Sequence, residues 1–326
     1  MIKAFAGNIV FVLILIPIFV ATNLTLEFFF NAFNASELHF TNLLDLDLTP
    51  TINWLNITLV TLVLTINALL INYTFNSHEF YDKNTYLPSF IYVLIACFFP
   101  MSVYVNGELI AQTFAILAIN QLFMIRQNED ARKWLFNSAF FIGFAYIFNP
   151  IYFIYFIVLF IVLLNIRPFQ LREYAMGLIG FLIPLLWLFL YHVLGDKEFN
   201  LLMIASSSIE HTAYLDFDRL PFWVIILPHF LILPLLASAL FFLSKRFGKS
   251  SIRFKRLIQN TLALTIGAIF VSILLLLTSE SYYYFSIGAT VLPLIIPYAY
   301  LESKSKNLAS VLIYLLIVVH LVKFIF

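Results

Sequence analysis

Charge is the scarcest property of this 326-residue chain: acidic and basic residues together make 11% of it, against 63% hydrophobic residues. That balance excludes an ordinary soluble domain and describes an integral membrane protein. A single cysteine, Cys97, lies inside an apolar run, which excludes a disulfide framework and a cysteine metal site. The six histidines are scattered, and none pairs with another at helical ligand spacing. With only nine glycines there is no Gly-rich phosphate loop, no Gly-x-Ser-x-Gly elbow and no Gly/Ser linker. Neither a low-complexity tail nor an internal repeat is present, so residues 1–326 read as one integral-membrane helical domain.

Long apolar runs are abundant. They fall at 8–22, 52–73, 87–104, 109–125, 134–148, 151–165, 174–194, 222–243, 258–278, 284–301 and 308–325, and predict an all-α, polytopic bundle of about eleven transmembrane helices. The first run follows Lys3 and ends without a small-x-small cleavage site, so it reads as a retained helix rather than a signal peptide. Alternate loops should then collect the cations. One side receives Lys83, Arg126, Arg132, Lys133, Arg167, Lys245, Arg253 and others, whereas the opposite side has only Lys197, Arg219 and Lys323. This sorting predicts a cytoplasmic N-terminus and an external C-terminus.

Two runs are short for a membrane. Trp134 to Phe148 and Ile151 to Asn165 have roughly fifteen residues each, about 22 Å of helix against a hydrocarbon core of roughly 30 Å. They read as a hairpin that turns at Asn149-Pro150 before reaching the far face. Lipid cannot satisfy the backbone groups freed at such a turn, so its apex should border protein or a water-filled cavity. Two external segments, 23–51 and 195–219, are partly ordered interfacial loops by the same reading, with apolar residues interrupted by single acids. Prolines 184, 228, 234, 293 and 297 lie inside helices, where each removes a backbone hydrogen bond and can open a cavity.

Acids concentrate on the external side, which either reflects easier insertion of carboxylates or lines a cleft. Glu27 follows the first helix. Asp45 and Asp47, like Asp216 and Asp218, stand two apart, a spacing that turns both carboxylates one way in an extended segment and would let a pair share a divalent cation. Glu108 opens a helix, where a carboxylate partly withdrawn from water can take a proton from a hydroxyl; the alternative is a helix-start acid favoured by the dipole. Asn67, Gln112, Asn120, Gln121, Asn137, His192 and His229 should face the bundle interior, and His229 beside Pro228 has a freed carbonyl within reach. Helix-to-helix hydrogen bonding is the plainer role for all seven. The basic loop SKRFGKSSIRFK suits anionic lipid headgroups rather than nucleic acid.

An acid at the start of a helix, a basic cytoplasmic turn, a tryptophan and two short apolar runs around a proline follow one another in ELIAQTFAILAINQLFMIRQNEDARKWLFNSAFFIGFAYIFNPIYFIYFIVLF. This order resembles the middle of the superfamily C glycosyltransferases, polytopic enzymes that use lipid-phosphate-linked sugars. The resemblance implies a catalytic acid in the first external loop, with Glu27, Asp45 and Asp47 as candidates together with Glu37. It also implies that arginines near the membrane, Arg219 among them, meet donor phosphate; together with Glu108, Asn149, Asp216, Asp218 and His229, which stand out on their own chemistry, Arg219 makes up the expected substrate-binding set. The chain departs from that family in lacking an acidic doublet directly after the first helix and basic residues in the first loop. NALLINYTFNSHEFYDKNTYLPSFIYVL and RPFQLREYAMGLIGFLIPLLW are similar to an uncharacterised polytopic inner-membrane family of Bacteroidota, which implies a bacterial inner-membrane location and no activity. The expected partners are membrane lipids, a polyprenyl-phosphate-linked sugar and other envelope membrane proteins. Two other functions fit the same features: a non-catalytic subunit or scaffold of an envelope complex, and a transporter.

Overall fold

The computed structural model describes residues 2–7, 10–30, 53–98, 105–125, 130–166, 170–195, 222–278, 282–303 and 306–322. Among them every regular element is helical and no strand occurs. In chain order they are α1 (Ile2–Phe5), α2 (Leu15–Phe30), α3 (Asn53–Ser77), α4 (Leu87–Ala96), α5 (Gly107–Phe123), α6 (Arg132–Phe148), α7 (Phe153–Ile166), α8 (Leu171–Leu194), α9 (Phe222–Phe247), α10 (Ile252–Thr278), α11 (Leu292–Ile295), α12 (Pro297–Leu301) and α13 (Lys306–Val322). Three 3-10 turns, Val10–Ile14, Pro150–Tyr152 and Tyr282–Thr290, join or extend them.

Four helical stretches, Trp54–Ser77, Leu171–Leu194, Phe230–Phe247 and Ile252–Leu274, are long and apolar enough to cross a membrane by length and composition. Their outer faces support that reading. On α3, Leu62, Ile66, Leu69 and Tyr73 are exposed, while Val60, Leu64, Ala68, Ile71 and Phe75 on the opposite stripe are buried. A helix that is apolar on both its inner and its outer face has no stripe for water, which is the pattern of a lipid-facing span.

The most extensive helix packing among the described residues is that of α6 on α8 and α5. Small residues allow it. A Cβ on Gly180 of α8 would stand 2.5 Å from the Phe136 carbonyl oxygen, and one on Gly143 of α6 would stand 2.9 Å from the Phe181 carbonyl oxygen and from Cγ of Pro184. The two helices therefore meet backbone to backbone, as small residues permit in membranes. Pro184 is buried in this contact, so at that position the proline ring packs against its neighbour. On the other side, Ser138 Oγ donates to the Ala118 carbonyl at 2.9 Å and ties α6 to α5.

Helix α6 has 17 residues, and the 3-10 turn and α7 that follow have 3 and 14. At about 1.5 Å per residue each arm is about 25 Å, short of a hydrocarbon core of roughly 30 Å. Pro150, which has no N–H to donate, forces the break. Asn149 fits it: its backbone is extended, its N–H donates to the Ala145 carbonyl at 2.8 Å, and its Oδ1 accepts from Ile151 N at 3.0 Å.

Candidate functional site

The Asn149 amide has a second half. While Oδ1 caps the 3-10 turn, Nδ2 points the other way and donates to Glu108 Oε2 at 2.5 Å. Glu108 is positioned by a cap of its own. Asn106 is extended, its Oδ1 accepts from Leu109 N at 2.9 Å, and α5 starts from there with Glu108 in its first turn. An acid in that turn is favoured by the helix dipole, but this one is 3% exposed and must find its partners inside the protein.

It finds four. Besides Asn149, Oε1 accepts from Tyr152 OH at 2.7 Å, Ser286 Oγ at 2.7 Å and Gln112 Nε2 at 3.2 Å. An ionised carboxylate is acceptor-only, and four converging donors match it. Among the described residues no cation forms an ion pair with Glu108, so these neutral dipoles hold the group alone. Behind Gln112 the donors continue in one direction. Tyr92 OH donates to Gln112 Oε1 at 2.8 Å, and Asn67 Nδ2 donates to Tyr92 OH at 3.1 Å. Bonds aligned in series polarise one another toward the carboxylate. A neighbouring pair, Tyr155 OH and Thr290 Oγ1 at 2.6 Å, adds a further hydroxyl contact between α7 and the 282–290 turn. The network thus gathers α3, α4, α5, the apex of the α6–α7 hairpin and the 282–290 turn around one acid.

Of the residues singled out in the sequence, Glu108 and Asn149 are brought into direct contact. Asn67, Gln112 and His192 are buried, as their polarity within apolar runs predicts. Asn120, Gln121 and Asn137 are half-buried, and Asn120 Oδ1 pairs with His78 Nε2 at 3.0 Å. Glu27 lies in α2 and His229 in α9, with both side chains outside the described residues. Glu37, Asp45, Asp47, Asp216, Asp218 and Arg219 lie outside the described residues altogether. Tyr92, Tyr152 and Ser286 were not among the sequence candidates. Tyr152 had a signal, since it stands three positions past the apex asparagine; Ser286 had none.

At the other end of the bundle Arg246 donates to Glu302 and, at 2.8 Å, to Asp82, with its guanidinium over the Tyr81 and Phe254 rings. Two cavities, of about 480 and 530 Å3, open beside this cluster and share His78, Arg253 and Leu257 on their walls. Among the described residues no group of three or more His, Cys, Asp or Glu could hold a metal ion. No protein-family model, no curated protein and no solved structure matches this chain.

Proposed function

We propose that this integral membrane protein crosses the bacterial inner membrane about eleven times, N-terminus inside and C-terminus outside, and works as a glycosyltransferase-like enzyme on lipid-phosphate-linked sugars at the external face. The observation that carries this reading is the contact between Glu108 and Asn149 at the apex of a hairpin too short for the bilayer. A buried acid within apolar helices is costly, and such groups mark functional centres more often than packing. In the proposed reaction an external acid, Glu27 near the end of α2 or Asp45 or Asp47 of the first external loop, takes the proton from an acceptor hydroxyl. That oxygen bonds to the anomeric carbon of the donor, and the bond from that carbon to the lipid phosphate breaks. Glu108 and the half-buried Asn149 form the floor beneath the sugar, where polar groups at fixed angles orient hydroxyls.

The test is complementation of a deletion strain, scored for a surface glycan at matched membrane levels of protein. Glu27→Gln, Asp45→Asn and Asp47→Asn are introduced singly and together, and Glu108→Gln separately. Loss of glycan in the Glu27, Asp45 and Asp47 variants, with reduced glycan in Glu108→Gln, is the expected result. Wild-type glycan in every variant defeats the proposal.

One observation favours a second reading, a non-catalytic subunit of an envelope membrane complex: both oxygens of Glu108 are already occupied by protein donors. On that reading the acid locks a fold that other membrane proteins pack against. Conservative variants would then leave the glycan intact, while Glu108→Ala would lower the amount of protein in the membrane and of whatever co-purifies with it.

A further inference from the structure

The two cavities at the Arg246 end differ in charge. The smaller carries Arg246, Lys249 and Arg253, but also Glu79, Asp82 and Glu302, so its formal charges cancel. The larger, about 530 Å3, has Arg253 and Arg256 on its wall and no carboxylate among its lining residues. Arg256 has no ion pair among the described residues. Arg253 reaches Glu79 at 3.2 Å, but with side chains 61% and 72% exposed the pair is a surface contact that an anion can displace. Deeper in, Asn260 is 4% exposed and its Oδ1 is buried with no hydrogen-bond partner, so the polar wall extends beyond the arginines and is incomplete. Ser77 and His78 add further polar groups, and the apolar part of the wall comes from Phe123 at the end of α5, Ile125 just past it, Ile166 ending α7, and Leu257 on α10. Tyr73 of α3, 56% exposed, stands at the rim on the outward face of that helix.

We infer that this cavity holds the phosphate headgroup of an anionic membrane lipid, with Arg253 and Arg256 on the phosphate and the lipid chain against the apolar wall. The inference is independent of the glycosyltransferase reading and concerns the opposite end of the bundle from Glu108. Phosphate chemistry follows from two guanidiniums in one pocket whose lining holds no carboxylate, the Glu79 contact of Arg253 being an exposed one. A lipid rather than free phosphate follows from the apolar half of the wall and from its place among the ends of two long apolar helices, where basic pockets meet headgroups. The volume fits a headgroup with the first part of its chain.

The test is native mass spectrometry of the full-length protein in a neutral detergent, with phosphatidylglycerol and phosphatidylcholine offered in equal amounts. Wild type should retain phosphatidylglycerol preferentially. Arg253→Gln/Arg256→Gln should lose that preference by on the order of tenfold. Arg253→Lys/Arg256→Lys should keep it in large part, which separates lost charge from a lost fold. A separate arm adds excess inorganic phosphate before the lipid. If phosphate removes the lipid completely, the site reads free phosphate and the lipid assignment falls. An unchanged preference in the glutamine double variant, or none in wild type, overturns the inference outright.

Discussion

Exchanging the acid and the amide at the hairpin apex asks whether directed hydrogen bonding, rather than shape, holds this centre together. Glu108→Ala removes the acceptor for Asn149, Tyr152, Ser286 and Gln112 at once. A stranded buried donor costs about 1–3 kcal/mol in soluble proteins. Hydrogen bonds between membrane helices average only about 0.6 kcal/mol, because the unfolded chain also finds partners in the membrane. Four donors therefore place the loss at roughly 2–5 kcal/mol, toward the lower end of what the soluble value would sum to.

The conservative change is more telling. Glu108→Gln keeps one oxygen for Tyr152, Ser286 and Gln112, but turns an NH2 toward Asn149 Nδ2, donor against donor. Asn149 cannot rotate its amide to adapt, because Oδ1 is committed to Ile151 N at 3.0 Å. The expected loss is about 1–3 kcal/mol. Asn149→Asp alone sets carboxylate against carboxylate across a 2.5 Å contact and should cost a similar amount. In Glu108→Gln/Asn149→Asp the new amide donates to the new carboxylate, which still accepts from Ile151 N, so donors and acceptors alternate again. A coupling energy of about 1–3 kcal/mol in favour of the double variant follows. SDS titration of detergent-solubilised protein, read by tryptophan fluorescence, measures it. If the double variant is as unstable as the two single losses added together, the network does not hold the apex and the site argument fails with it.

Two more changes probe the scaffold around that centre. Gly180→Ala puts a Cβ 2.5 Å from the Phe136 carbonyl oxygen, so α8 must move away from α6 at a cost of about 1–3 kcal/mol. Gly248→Ala, where a Cβ would meet nothing within 4 Å, is the control that should leave the SDS midpoint unchanged. At the basic end, Arg246→Ala should open the contact among residues 78–86, α9 and Glu302 and speed limited proteolysis between Glu79 and Thr85. Asp82→Asn should do little there because that side chain is 81% exposed, whereas Glu302→Gln, at 28%, should reproduce part of the arginine effect.

The helical architecture was open to reading from the chain because hydropathy and length act locally. An apolar run such as 52–73 can be nothing but a helix in lipid, and α3 occupies it with the alternation of buried and exposed stripes that a lipid-facing helix requires. The stop at Pro150 and the cap at Asn106 are equally local, since each depends on what one residue can donate or accept. Four helices meet the length and hydropathy of a span outright. The other described helices are shorter, and the proposal that they cross too rests on the alternation of charge in the loops rather than on their own length.

The centre was half legible, for a physical reason. Glu108 and Asn149 stood out separately, one as an acid at a helix start and the other as the tip of a short hairpin, yet nothing in the chain states that positions 41 apart share a hydrogen bond. Ser286 was hidden because a hydroxyl side chain costs little in an apolar helix, so its presence carries no signal until a partner is known, whereas Tyr152 was marked only by its place three positions past the apex asparagine. Ser286, two positions beyond a run of tyrosines that reads as an interface belt, donates across 178 positions to the same carboxylate. A buried acid with no cation must collect neutral donors from wherever the bundle supplies them, and a short hairpin brings its apex amide to the depth at which that collection happens. The acid thus explains the turn as much as the turn exposes the acid, and that mutual dependence is what the exchange of Glu108 and Asn149 measures.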